Sequence, residues 1–129
     1  MELNNQVAIS GEYGNPSSAI NFSSNLVTTT IVQGLTVTKS ADKTNWVDGP
    51  LTYTVVIQNN SGSALSSGKL TDTIDTSLVD FNQTYGVKLD NETYSSYTYT
   101  SSSGILEITL PNLDDSNETT ITFQVTRKV

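Results

Sequence analysis

The chain has 129 residues, enough for one ordinary domain and a short arm, and enough to bury a sandwich core. Ser, Thr and Asn account for 49 residues, while apolar residues make up 35% and charged residues 15%. This composition favours short strands joined by polar turns. It argues against a helical bundle, which needs more Ala, Leu, Glu and Lys.

The charge balance and two missing residue types narrow the function. Six basic residues stand against 13 acidic ones, a net charge of -7, so a surface that follows nucleic-acid phosphates is not expected. His and Cys are both absent, which removes disulfides, Cys/His zinc sites, thiolate nucleophiles and His-based catalytic triads. We therefore expect no enzyme, no cofactor and no metal.

Apolar residues alternate with polar ones along most of the chain, and Gly, Asn, Asp, Ser and Pro clusters separate the alternating runs. This pattern predicts an all-β, Ig-like sandwich. In chain order, the predicted strands are Gln6–Tyr13, Asn25–Gln33, Leu35–Ser40, Leu51–Asn59, Lys69–Ile74, Tyr85–Leu89, Tyr94–Thr100, Ile105–Leu110 and Thr119–Arg127.

Gly34 marks the predicted boundary between an N-terminal strand arm, residues 1–33, and an Ig-like sandwich, residues 34–129. The arm is too short for a core of its own, and two strands alone are marginal in water. It either folds back on the sandwich or donates a strand to the sheet edge of another molecule. The residues assigned to this assembly arm are Asn5, Val7, Ile9, Ile20 and Phe22.

Four motifs of the second segment carry a resemblance to a known family. They are the opening TVTKSAD, a Gly before LTYTVVIQN, the LTDTID strand, and a closing acidic turn followed by TTITFQV. Together they resemble the conserved Ig-like repeat of bacterial and archaeal surface proteins, a domain family of unknown function. The arm is similar to the tail that completes the preceding repeat. The resemblance implies a structural role in stalks, arrays or fibres.

Polar residues fall on strand faces that are otherwise apolar, because residues two apart share a face. Lys39 shares a face with Leu35 and Val37, and Asp72 shares one with Leu70 and Ile74. Asn5 is aligned in the same way with Val7 and Ile9, and Asn59 with Tyr53, Val55 and Ile57. If these faces are buried, the charged groups must be paired, neutralised or covalently joined.

The domain family is related to fimbrial domains that form isopeptide bonds, and this resemblance implies a role for two of these residues. In those domains a Lys of the first strand attacks an Asn amide with the help of an acid on a middle strand, and Lys39 and Asp72 match these two positions. Arg127 lies near the usual Asn position, so the acceptor is either Asn59 or Asn5 of a neighbouring subunit. The alternative is an ordinary ion pair between Lys39 and Asp72.

These features predict a structural subunit or repeat module of a bacterial surface or spore-associated fibre, assembled head to tail through the arm. The alternative is an adhesion module that recognises a glycan or a host protein through Tyr94, Tyr97, Tyr99 and the Trp46 loop. We expect an extracellular, cell-surface or spore-surface location and no membrane insertion, and the given chain has no signal-peptide pattern at its start.

Overall fold

A computed structural model describes residues 2–30 and 33–128 of the chain. The chain divides into two compact units, Met1–Gln33 and Gly34–Val129. The strands are β1 (Glu2–Asn5), β2 (Ala8–Tyr13), β3 (Ser18–Ser23), β4 (Val27–Thr30), β5 (Leu35–Ala41), β6 (Leu51–Asn59), β7 (Lys69–Thr73), β8 (Val79–Phe81), β9 (Val87–Leu89), β10 (Glu92–Tyr94), β11 (Tyr97–Thr100), β12 (Ile105–Thr109) and β13 (Asn117–Arg127).

The all-β fold class is confirmed, because the described residues form antiparallel sheets and contain no helix. No helix within the described ranges is therefore long and apolar enough to cross a membrane.

The first unit is an antiparallel hairpin in two sections. β1 pairs with β4, and β2 pairs with β3. The register shifts by one residue between the sections, where Gln6 and Val7 face three residues, 24–26. Ser24 holds this bulge, because its Oγ accepts the Val7 N–H at 3.1 Å and its carbonyl accepts the Gln6 side-chain amide at 2.7 Å.

The bulge overturns the predicted strand Gln6–Tyr13 and its face. β1 ends at Asn5 and β2 begins at Ala8, so Asn5, Val7 and Ile9 do not lie on one continuous strand and alternation cannot place them on one face. The sequence prediction also missed β1, which has one apolar residue, and β3, in which Ile20 and Phe22 flank Asn21. Of the predicted strand Asn25–Gln33, Val27–Thr30 forms β4, while Ile31 and Val32 lie outside the described residues.

The larger sheet of the second unit has the order β10-β9-β13-β6-β5, and β8 also pairs with β13. β13 is its central strand and has strict alternation: Thr119, Ile121, Phe123 and Val125 are buried while the residues between them are not. This period of two is that of a sheet with one face on a core.

The smaller sheet, β11-β12-β7, covers part of that core face. Leu106 and Ile108 of β12 are at most 1% exposed and pack with Val55, Ile121 and Phe123 of the larger sheet in one apolar cluster. The predicted strand Tyr94–Thr100 is in fact two strands, because Ser95 and Ser96 carry the chain from β10 in the larger sheet to β11 in the smaller one.

Candidate functional site

Two strands of the second unit end their sheets at the same side of the sandwich. Among the described residues, β5 pairs with β6 and has no second neighbour, and β7 pairs with β12 and has no second neighbour. Lys39 of β5 reaches Asp72 of β7, which brings the two edges together. We call the opening between these edges the seam, and define it by Val37 and Lys39 of β5 and Leu70 and Asp72 of β7.

Backbone parity shows which groups face outward at the β7 edge. The Ile74 N–H donates to the Gly104 carbonyl at 2.8 Å, and the Leu110 N–H donates to the Gly68 carbonyl at 2.9 Å. These bonds set even-numbered β7 residues as the hydrogen-bonded pairs with β12. The N–H and C=O groups of Lys69, Thr71 and Thr73 therefore point away from β12, toward the free edge.

The β5 edge can be assigned in the same way. Here the residues whose backbone faces the free edge are also those whose side chains face inward, which is the opposite of β7. The Asn60 N–H donates to the Gly34 carbonyl at 2.7 Å and the Asp42 N–H to the Thr52 carbonyl at 3.0 Å. Even-numbered β5 residues thus bond to β6, and odd-numbered residues present their backbone to the free edge. The side chains of Val37 and Lys39 belong to the odd set and face the seam.

Lys39 and Asp72 form an ion pair across the seam. Lys39 Nζ lies 2.5 Å from Asp72 Oδ2. The same ammonium stands 4.3 Å from the centre of the Tyr53 ring and 5.8 Å from that of Phe123, so it is also held by the negative faces of two aromatic rings. A charged amine is thus stabilised at the margin of the core.

These four polar residues differ in burial: Asn59 is buried, Asp72 is partly buried, and Lys39 and Asn5 are exposed. The Lys39 side chain is 43% exposed and that of Asp72 is 16% exposed, while Asn59 is fully buried. The reason is tertiary, because β5 lies at a sheet edge beyond the reach of the three short strands of the smaller sheet. Val37 is 56% exposed although it is on the inward face. Asn5 is exposed in the first unit.

A cleft of about 520 Å³ opens beside the ion pair. Lys39 and Asp72 line one part of it, and Leu78, Arg127 and Lys128 line another. Leu78 is 65% exposed there. The seam and this cleft share Lys39 and Asp72, and the cleft is lined by apolar side chains and by charges of both signs.

Asn59 does not meet Lys39 in this fold. Lys39 is opposite Val55 in the register and Asn59 is opposite Leu35, a separation of four residues or about 13 Å along the strand. The Asn59 amide donates to the carbonyls of Ser63 and Leu113 at 2.8 and 2.9 Å, and its Oδ1 accepts from Ser61. Its hydrogen-bonding capacity serves a loop, which removes it as an isopeptide acceptor in this conformation.

The described arm residues are open to solvent. Asn5 lies opposite Val27 in the β1–β4 register, and Val7, in the bulge, is 66% exposed. Ile9 is opposite Phe22, and Ile20 is opposite Gly11 in the β2–β3 register. The side chains of Ile9, Ile20 and Phe22 lie outside the described part of the structure.

The aromatic residues proposed for ligand binding are engaged inside the sandwich. Tyr97 and Tyr99 pack on Phe81, with ring centres 6.0 and 4.8 Å apart, and the Tyr94 hydroxyl donates to the Thr109 carbonyl. The Trp46 indole N–H donates to the Gly49 carbonyl at 2.9 Å and its ring packs against the core. These contacts fix the positions of the four aromatic side chains, which are all partly buried.

Two carboxylates near the seam have lowered pKa values. The Thr52 N–H, which donates to Asp42 at 2.9 Å, is the main cause of the lowered pKa of Asp42, and Lys43 adds to it. Hydrogen bonds from the side chain and the N–H of Ser77 lower the pKa of Asp75. Within the described ranges, no group of three or more Asp or Glu residues is arranged to hold a metal ion.

Sequence reasoning identified the Lys39–Asp72 constellation but missed the two open edges that surround it. The signal for an edge was present in β5, where Thr36, Thr38 and Ser40 alternate with residues that include a Lys. Polar residues on one face and an inward charge on the other are typical of an edge strand.

Comparison with protein-family models, with curated proteins and with solved structures finds no match.

Proposed function

We propose that this protein is a structural module of a bacterial surface or spore-associated fibre, and that copies associate through the N-terminal arm. The observation that carries the proposal is the exposure of the arm's apolar side chains. Five of the nine large apolar side chains that are exposed within the described ranges belong to residues 2–30, namely Leu3, Val7, Tyr13, Leu26 and Val27. An apolar hairpin without a core is unstable alone and is suited to docking.

A covalent link between copies is the second part of the proposal. The Lys39 ammonium would first pass a proton to the Asp72 carboxylate, and the neutral Nζ would then attack Cγ of Asn5 in another copy. A new C–N bond forms, the bond from Cγ to the Asn5 side-chain nitrogen breaks, and that nitrogen leaves as ammonia. Asp72 would carry the proton from Nζ to the leaving nitrogen. Support comes from the 2.5 Å contact between Lys39 and Asp72, which holds a proton carrier against the amine.

The proposal is a structural role and not turnover of a substrate. Without His and Cys the chain has few proton shuttles and nucleophiles, and a crosslink is made once. The adhesion alternative has less support, because Tyr94, Tyr97 and Trp46 are partly buried and already make contacts within the sandwich.

Sedimentation of the full chain over a concentration series tests the non-covalent part. We expect the mass to rise with concentration, and the double variant Leu3→Ser/Val7→Ser to associate at least about tenfold more weakly, since burying one such side chain is worth about 1.5–3 kcal/mol. Val47→Ser, a change at a residue 77% exposed in the second unit, is the matched control. A chain that is monomeric at every concentration contradicts the proposal.

Intact-mass measurement after boiling in denaturant tests the covalent part. We expect multimers that have each lost one ammonia per link, and their loss in Lys39→Ala. Multimers that persist in Lys39→Ala would exclude this chemistry, and full-mass monomers alone would limit the association to non-covalent contacts.

A further inference from the structure

The free edges of the sandwich differ in what an added strand would cover. A strand added beside β5 would extend the larger sheet outward, away from the core. A strand added beside β7 would extend the smaller sheet under β5, because the smaller sheet faces the inward side of the larger one. Such a strand would cover the seam, including Val37, which is 56% exposed at an inward position.

The sizes of the two sheets point the same way. In the described part of the second unit, the larger sheet has six strands, with β5 at one edge, whereas the smaller sheet has three. The smaller sheet therefore leaves the β5 side of the core face without a covering strand among the described residues. A sandwich is more stable when both inner faces are covered, because burying aliphatic side chains removes apolar surface from water.

The order of the larger sheet identifies the position that is open. With β5, β6, β9 and β13 taken as strands A, B, D and E, the order β9-β13-β6-β5 is the D-E-B-A order of an Ig domain. β7, the next strand after β6, is then strand C, whose neighbour in the Ig plan is strand F. No strand of the described second unit lies at that position, since β12 pairs with the other edge of β7.

We infer that the free edge of β7 is the acceptor, and that its occupant is the arm hairpin of a second copy of this chain, entering with β1 next to β7. This inference rests on the proposed function and adds the acceptor site to it. The backbone groups of Lys69, Thr71 and Thr73 pair with the incoming strand, and its inward side chains cover the seam.

The arm fits this site in polarity. The seam contains an inward ion pair within an apolar surface, and an arriving strand must satisfy it, because a charge pair buried without further hydrogen bonds is costly. Leu3 and Asn5 are two residues apart on β1 and share a face with Val27 across the hairpin. That face therefore offers apolar side chains together with one amide, which accepts from Lys39 and donates to Asp72.

The arm also lacks Lys and Arg, and Lys is the charged residue that most often protects sheet edges. All six Lys and Arg residues of the chain lie after Gly34. β2 presents the backbone of Ala8, Ser10 and Glu12 to its free edge, since the Ser24 N–H to Val7 carbonyl bond at 2.8 Å sets the alternate residues as the pairs with β3. An edge without Lys is open to strand addition.

Amide hydrogen exchange of the full-length chain, compared between dilute and associated samples, tests the acceptor. We expect the amides of Lys69, Thr71 and Thr73 to exchange fast in the monomer and to slow at least about tenfold on association, because they gain backbone partners. The amides of Val37 and Ala41, at the β5 edge, serve as the internal control and stay fast. Protection of Val37 and Ala41 without protection of the β7 amides overturns the inference, as does protection of the β7 amides already in the monomer.

Proline variants of the full chain give a second test. Thr71→Pro removes an N–H that points to the free edge and makes no bond to β12, so the sandwich keeps its own ladder. Ala41→Pro does the same at the β5 edge and is the matched control. Thermal unfolding of each variant shows that it folds, and sedimentation reports its association.

The outcomes separate the acceptor from the proposed function. We expect Thr71→Pro to abolish association while Ala41→Pro retains it. If the Leu3→Ser/Val7→Ser arm variant fails to associate but folded Thr71→Pro associates like the parent chain, the arm is the donor and β7 is not the acceptor. If the parent chain does not associate at all, the proposed function fails and the inference fails with it.

Discussion

At the residue scale, the same type of side chain has different roles depending on whether the strand face on which it lies is buried. Alternation predicts both Asn59 and Asn5 on apolar faces, yet one is fully buried and the other is exposed. Asn59 closes the loop after β6 with two donated and two accepted hydrogen bonds. Asn59 is therefore a structural residue, and we expect its replacement to lower the stability of the sandwich.

Replacing Asn59 with Ala should lower the free energy of unfolding by about 2–4 kcal/mol, because it leaves a cavity and removes all the hydrogen bonds that this buried amide makes to Ser61, Ser63 and Leu113. Chemical denaturation measures the change. Asn117→Ala is the matched control, since Asn117 is exposed and lies opposite Asn59 in the register. Equal effects of the two variants would mean that the internal amide contacts contribute little.

Lys39 shows the limit of sequence patterns at this scale. Alternation places it correctly on the inward side of β5, and its pairing with Asp72 is one of the two interpretations that the sequence allows. Its 43% exposure does not follow from alternation, because exposure depends on which strand lies opposite.

At the element scale, the junctions between strands are set by a few glycines. Gly104 has a φ of +73°, and its carbonyl accepts the Ile74 N–H at 2.8 Å, which begins the β7–β12 ladder. A Cβ at this position would collide with the Ile74 carbonyl oxygen. The approach of the two chain segments therefore requires glycine for its missing side chain as well as for its φ.

Gly104→Ala should destabilise the sandwich by more than the about 1–2 kcal/mol expected for a positive φ alone, because the backbone of Ile74 must also move. Gly62→Ala separates the two causes: Gly62 has a φ of +86° but open space around its Cβ position. Thermal unfolding of both variants measures the difference. If both variants are destabilised equally, the backbone near Gly104 moves to avoid the collision without a further loss of stability.

Predicted and observed strands agree best where one face is covered by the core. β6 starts and ends as predicted, and β13 extends the predicted strand by two residues at its start. Agreement is poorest in the arm, where the predicted strands leave out β1 and β3. Alternation is typical of strands with one face buried, so a strand with both faces exposed is hard to predict from the sequence.

At the scale of the whole molecule, the net charge opposes association of copies. The charged residues of the arm are Glu2 and Glu12, so it contributes -2 to the net charge of -7 and meets a second unit that is also acidic. Two cations near the seam are already paired: Lys39 with Asp72, and Lys69 with Glu107. Because these cations are already neutralised by their partners, long-range repulsion decides the salt response.

Association should therefore strengthen several-fold as salt rises from about 0.01 to about 0.15 M, where the Debye length falls from about 30 to about 8 Å. Sedimentation at fixed protein concentration measures it. Weaker association at higher salt would show instead that attraction between the arm and the cations of the seam dominates.

The sequence by itself determined the fold class, the position of most strands of the second unit and the inward direction of Lys39 and Asp72, because alternation and composition are local properties of the chain. The tertiary structure alone decided that the arm is a bulged hairpin, that β5 and β7 are edges, and that Lys39 and Asp72 meet across an open seam. Strand order brings together residues far apart in the chain, and a period of two is the same in an edge strand and a central one.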